Sequence, residues 1–297
     1  VLSGVSLSGD RFFYDNPLES MGQHERAEWF GCACCPGNIT RFVASVPLYM
    51  YATQDKDIYV NLYIQSSAEV ATTNGKVSIR QETQYPWDGD IHLVVNPEKD
   101  GNFALRLRIP SWAQQKPVAS DLYAFTDQKS GRAYSLKVNG KEEKAYFNDG
   151  YATLSRAWKA GDVVELCLPM DVRRVMANDQ VMDNQGKLAI ERGPVMYCME
   201  GKDQPDGTVF NKYMTDGTPL VATFEKNLLG GVMTLAGKAQ QVGLDGTSRE
   251  VEVKLIPYCT WNNRTKTTAE GMTTTGDEMA VWIPASAEVA RPIPAPT

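Results

Sequence analysis

From Tyr49 onward the apolar residues of this chain tend to recur at every second position, and that period constrains the fold more than any other feature. Alternation of this kind puts one face of a pleated strand in a core and the other in water. Leu105-Arg106-Leu107-Arg108-Ile109 shows it most plainly. Similar short runs, rich in β-branched, leucine or aromatic residues, lie at 58–64, 77–79, 91–95, 103–109, 135–138, 151–154 and 163–168. Turn pairs separate them, among them Asn74-Gly75, Asp88-Gly89, Asn139-Gly140 and Asp149-Gly150. Short strands at this spacing predict an antiparallel sandwich. A second set at 172–176, 187–190, 195–199, 220–224, 232–234, 250–256 and 279–283 predicts another, with a boundary at Pro169-Met170-Asp171. Residues 113–133 are more polar and read as a surface loop, and the Pro-rich stretch 291–297 as extended chain.

The first fifty residues follow a different pattern. Ile39, Phe42, Val43 and Val46 recur at helical spacing, with Pro36-Gly37 as a tight turn ahead of them and Asn38 as the N-cap. Immediately before this helix stand Cys32, Cys34 and Cys35, three thiols in four positions. Adjacent cysteines are poor disulfide partners, because the ring they would close is strained. Clustered thiolates suit zinc, and a helix N-terminus favours the thiolate form. Such a group can serve metal binding or nucleophilic catalysis. The bland alternative is buried, inert cysteine, which is common. A closed structural zinc site would want a second ligand pair, yet Cys167, Cys198 and Cys259 stand singly without CxxC spacing. His24 is the nearest imidazole, in a charged stretch with Glu19, Glu25, Arg26 and Glu28 that reads as a solvated loop.

Composition narrows the partners. The chain has 297 residues, enough for one large core or two medium ones, and a net charge of −6 without a Lys/Arg run. That balance argues against nucleic acid and anionic membrane surfaces, and no apolar stretch has the length of a membrane span. Six cysteines in this length do not suggest a disulfide scaffold. There is no GxGxxG, P-loop or HExxH pattern. Trp87, Trp112 and Trp261 could stack on sugars, but each lies near a predicted strand end, where packing is the simpler role. Val1 is followed by no signal-peptide pattern, so no compartment is read from this end.

Several segments together resemble a known family. They are residues 2–19, with Phe12-Phe13-Tyr14-Asp15-Asn16-Pro17-Leu18-Glu19, and Trp29-Phe30-Gly31-Cys32-Ala33-Cys34-Cys35-Pro36. Later pieces include Tyr85-Pro86-Trp87-Asp88-Gly89, Leu107-Arg108-Ile109-Pro110-Ser111-Trp112, Ile190-Glu191-Arg192-Gly193-Pro194 and Tyr258-Cys259-Thr260-Trp261-Asn262. Over nearly the whole chain the sequence resembles glycoside hydrolase family 127, the β-L-arabinofuranosidases, to which family 146 is similar.

The resemblance implies a mostly β chain: two antiparallel, jelly-roll-like β-sandwich domains following the C-terminal end of an (α/α)6 barrel that is largely missing. Its domains would be residues 1–52, the barrel end with the cysteine motif, then 53–171 and 172–297. It also implies a retaining mechanism in which a zinc-bound thiolate attacks the anomeric carbon and a glutamate serves as acid and then base. Cys34 maps onto the nucleophile, Cys34 and Cys35 onto zinc ligands, and Tyr14 onto a substrate contact. The acid/base glutamate and the remaining ligands are expected upstream of Val1, so Glu19 is not given that role. On this reading the chain is part of a longer enzyme, expected to be inactive without the barrel. Its partner would be a plant glycan containing L-arabinofuranose, with a homodimer left open. The alternative is a non-catalytic pair of β-sandwiches that binds carbohydrate or packs on a catalytic chain, its cysteines structural.

Overall fold

The computed structural model describes residues 2–127, 134–264 and 277–292. Contacts divide the chain into two compact units, one of residues 41–119 and 128–171, the other of residues 1–40, 120–127 and 172–297. Both are built mostly from antiparallel strands, and the chain is mostly β.

In the first of these units a six-stranded sheet faces a five-stranded one. The six-stranded sheet runs from Ser66–Thr72 through Gly75–Thr83, Asp90–Pro97, Asp162–Cys167 and Ser135–Val138 to Lys141–Glu142. The other contains Tyr51–Gln54, Asp57–Val60, Gly101–Arg108, Tyr151–Trp158 and Tyr146–Asn148. Ile79, Ile91, Leu93 and Val164 from one sheet, with Ile58, Leu105, Leu107 and Trp158 from the other, are fully buried in one core. Each such side chain stabilises the fold by roughly 1.5–3 kcal/mol. Trp158 settles its one polar atom by donating Nε1–H to the Phe103 carbonyl at 3.0 Å. On the opposite face of Gly101–Arg108, Arg106 reaches Asp57 at 3.1 Å, as the alternation requires. One pair is parallel, Asp57–Val60 against Gly101–Arg108. Parallel neighbours need a crossover, and residues 61–100 supply it by building the opposing sheet.

The other unit holds an eleven-stranded branched antiparallel sheet. Val232–Val242 and Ser248–Pro257 form its longest hairpin, and Ile190, Tyr197, Met199, Phe210, Leu235 and Leu255 fill its core. Two features depart from the sequence reading. Within the expected loop at 113–133, Tyr123–Phe125 is a strand paired with Val172–Ala177, and Phe125 is buried. Three residues are too few for period two to register. The charged stretch at 19–28 is also not uniformly solvated: Glu19–Met21 pairs with Glu278–Ala280, and Ser20 and Arg26 are buried.

The helix α1 (Cys34–Ser45) begins four residues before the cap expected at Asn38. Pro36 is its third residue, where the missing N–H would have no intrahelical partner anyway, so the ring belongs to the first turn instead of preceding it. Thr40 Oγ1 donates back to the Pro36 carbonyl at 2.8 Å. Of the apolar stripe, Phe42 and Val43 are exposed. No helix among the described residues is long and apolar enough to cross a membrane.

Candidate active site

Because α1 starts at Cys34, Cys34 and Cys35 lie in its first turn, while Cys32 sits in the coil ahead of it. Cys32 and Cys34 are exposed, Cys35 is half-buried, and no disulfide joins them. Cys34 Sγ lies 3.6 Å from Cys32 Sγ and 3.8 Å from Cys35 Sγ. Two thiolates each ~2.3 Å from a tetrahedral zinc stand about 3.8 Å apart. Each of these pairs therefore has close to the span of one edge of a zinc shell. The donors fit zinc two at a time: among the described residues, no three or more His, Cys, Asp or Glu form a group that could hold a metal ion.

Three consecutive aromatic residues, Phe12, Phe13 and Tyr14, precede the thiols, and Tyr14 interacts with them. The backbone of Phe12 exchanges hydrogen bonds with Ala27 at 2.8 and 2.9 Å, and that short bridge makes successive side chains alternate. Phe12 meets Trp29 edge-on at 6.5 Å, and Tyr14 meets Phe30 at 5.4 Å and 69°. The Tyr14 side chain interacts with Cys35 and, more weakly, with Cys32. The interaction with Cys35 first, and then that with Cys32, pushes its pKa well above the ordinary phenol range. Tyr14 therefore stays a neutral phenol at neutral pH.

Phe13 turns the other way and anchors the segment. It is buried, stacked on the buried Trp261 with centroids 5.0 Å apart and planes at 12°. The Arg26 guanidinium lies 4.3 Å from the Phe13 centroid. It donates to the carbonyls of Trp261 at 2.7 Å, Asn262 at 2.8 Å and Ser3 at 2.8 Å. Burial lowers the Arg26 pKa to about 10, opposed by the charge of Glu200, so it remains a cation at neutral pH. Glu200, itself buried, accepts the Asn262 N–H at 2.8 Å and is paired with Arg264. At Gly4 a Cβ would come 3.0 Å from Ile39 Cδ1, so the turn at Leu2–Gly4 lies directly against α1.

Comparison with known proteins gives three matches to domains of one family. Residues 1–48 match the family profile described as "Beta-L-arabinofuranosidase, GH127 catalytic domain". Residues 57–170 match "Beta-L-arabinofuranosidase, GH127 middle domain", and residues 172–284 "Glycoside hydrolase family 127 C-terminal domain". The chain belongs to glycoside hydrolase family 127. A family 127 relative from Bifidobacterium longum subsp. longum, a "Non-reducing end beta-L-arabinofuranosidase", is 32% identical over 89% of this chain and 42% of its own length. A solved GH127 β-arabinofuranosidase superposes with a TM-score of 0.90 at 38% identity, over 98% of this chain and 44% of the other. A GH127 β-L-arabinofuranosidase from Geobacillus stearothermophilus T6 gives 0.81 at 34% identity, over 95% of this chain and 44% of the other. This family 127 chain thus spans less than half the length of the relatives it matches.

The structure brings Tyr14, Cys34 and Cys35 together, the three residues that the family resemblance singled out. Glu19 is committed elsewhere, to Arg291 at 2.8 Å and Lys187 at 3.7 Å. Trp261 is buried and packs on Phe13, so it offers no face to a sugar. Two features escaped sequence reasoning: the contact of Cys32 with Cys34, and the stack of Arg26, Phe13 and Trp261. The run of three aromatics was the available signal for the stack, since alternation must send its middle member to the opposite side.

Proposed function

We propose that this chain carries the nucleophile of a retaining β-L-arabinofuranosidase of the length of its relatives. Its substrate would be β-linked L-arabinofuranose in a plant polysaccharide or glycoprotein. The observation that supports this reading is the sulfur cluster itself. Cys34 is exposed in the first turn of a helix, at zinc-edge distance from Cys35, with a protonated tyrosine hydroxyl beside the pair.

A free thiol, with an ordinary pKa near ~8.5, is mostly protonated at neutral pH, and attack on an anomeric carbon needs the thiolate. Zinc held by Cys34 and Cys35, with further ligands from the longer protein, would supply that ionised state. Cys34 Sγ attacks the anomeric carbon and the leaving-group oxygen departs with a proton from a carboxylic acid. The same carboxylate then deprotonates a water, which attacks from the opposite side and frees the sulfur, giving net retention. Tyr14, fixed by the packing of Phe13, presents its O–H at the sulfurs, where it can hydrogen-bond either the thiolates or a sugar hydroxyl. The Phe30 ring supports that orientation.

The test is substitution in an enzyme of the relatives' full length. Cys34→Ala and Cys34→Ser should each abolish turnover on an aryl β-L-arabinofuranoside, since a serine hydroxyl is far less acidic. The two β units should stay folded, because Cys34 belongs to neither of their cores. Turnover by Cys34→Ala at more than a few per cent of wild type would overturn the assignment.

A further inference from the structure

The third thiol has no part in that mechanism, yet it is the nearer neighbour of Cys34. Cys32 Sγ lies 3.6 Å from Cys34 Sγ, and both thiols are exposed. We infer that Cys32 and Cys34 form a reversible disulfide that switches the site off, Cys34 being locked in the bond and lost as nucleophile and as ligand. The inference rests on the reading of Cys34 as nucleophile and concerns the regulation of that same site.

Geometry separates Cys32 from Cys35 as the partner. Adjacent residues hold their Cα atoms about 3.8 Å apart, shorter than the ~4.4–6.8 Å of a relaxed bridge. Residues two apart in the chain lie roughly 5.5–7 Å apart at Cα, which overlaps that range. Cys35 is also fixed within α1, whereas Cys32 lies in coil where its backbone can adjust. Closing the contact asks for about 1.5 Å of sulfur movement, within reach of side-chain rotation. Gly31 helps, because a Cβ there would meet nothing within 4 Å and the chain before Cys32 is unhindered. An exposed bridge of this kind belongs to the labile, regulatory class.

The chemistry balances with a small-molecule disulfide as oxidant. The Cys34 thiolate attacks one sulfur of the oxidant, forming a mixed disulfide and expelling one thiolate. The Cys32 thiolate then attacks Cys34 Sγ and expels the second. The two cysteines lose two electrons and two protons, and one disulfide is reduced to two thiols. A dithiol run in excess reverses both steps.

The experiment treats the 297-residue chain with oxidised glutathione, alkylates with iodoacetamide, and reads the tryptic peptide from Ala27 to Arg41 by tandem mass spectrometry. All three thiols lie in that peptide. The expected product has lost two hydrogens and carries one alkyl group, on Cys35; dithiothreitol restores three alkylatable thiols. In Cys32→Ser the glutathione adduct should persist on Cys34 with no internal bond, and Cys35→Ser should close the bond as wild type does. An alkyl group on Cys32 with a bond between Cys34 and Cys35 overturns the inference. So does a glutathione adduct on wild-type Cys34 as persistent as in Cys32→Ser. Failure of the nucleophile reading shows separately, as turnover by full-length Cys34→Ala, and leaves the mapped bond untouched.

Discussion

Arg26 offers the clearest test of how the active-site segment is held. Arg26→Met keeps a side chain of similar reach that can still lie on Phe13, but removes the charge and all three donors. Three charge-assisted hydrogen bonds at ~1.5–3 kcal/mol each would sum to roughly 5–9 kcal/mol. The guanidinium is held in place at a desolvation cost, visible in its lowered pKa, and methionine does not bear that cost. Against this, the carbonyls of Ser3, Trp261 and Asn262 lose their common donor. The net loss should be about 3–5 kcal/mol, the usual penalty for breaking a buried polar set. Arg26→Lys keeps the charge but not the fork, and should fall between the two. Urea unfolding followed by tryptophan fluorescence measures the loss, and hydrogen exchange at Phe12–Tyr14 locates it. A loss under about 1 kcal/mol, with unchanged protection at those amides, would refute the idea that Arg26 ties residues 3–26 to residues 261–262.

Other predictions are independent of Arg26. Burial holds the Glu191 carboxyl at about 8 in the fold, with Arg173 pulling it down, against 4.5 when free. A raised folded value gives stability that is complete below about pH 4.5 and is lost as pH rises through about 8. Glu191→Gln should therefore flatten the fall in thermal midpoint between pH 5 and pH 8; an unchanged fall would mean that the carboxylate is already ionised against Arg173. Gly4→Val would drive its side chain into Ile39, and should lower the thermal midpoint while Gly9→Ala, where an added Cβ would meet nothing within 4 Å but φ is +78°, costs only the backbone strain of about 1 kcal/mol. Two thiols fill half of a tetrahedral shell, so the 297-residue chain dialysed against trace zinc should retain well under one equivalent by metal analysis. One tightly held equivalent would show that the ligand set is misassigned.

Much of the sandwich was legible because its strands are buried on one face only. The alternation in 103–109 appears as a strand at Gly101–Arg108, with Leu105 and Leu107 buried and Arg106 paired outside. The strand at Ser66–Thr72 left little trace, since only Val70 along it is buried. Tyr123–Phe125 was illegible for a different reason: its pairing with Val172–Ala177 is a contact across some fifty residues that no local period encodes. At the site, the thiols were plain from their spacing. The start of α1 was misplaced because Pro36-Gly37 reads as a turn, although proline is well tolerated in a first helical turn. Arg26 was hidden in a charged stretch, and only the carbonyls of distant Trp261 and Asn262 explain its burial.

The central claim is that Cys34 is the nucleophile, and covalent trapping tests it most directly. A full-length enzyme incubated with a mechanism-based arabinofuranosyl inhibitor should gain one sugar-sized mass increment. After digestion that increment should lie on the peptide from Ala27 to Arg41, with fragment ions placing it on Cys34. An increment on a glutamate or aspartate, or on Cys32 or Cys35, would contradict the assignment.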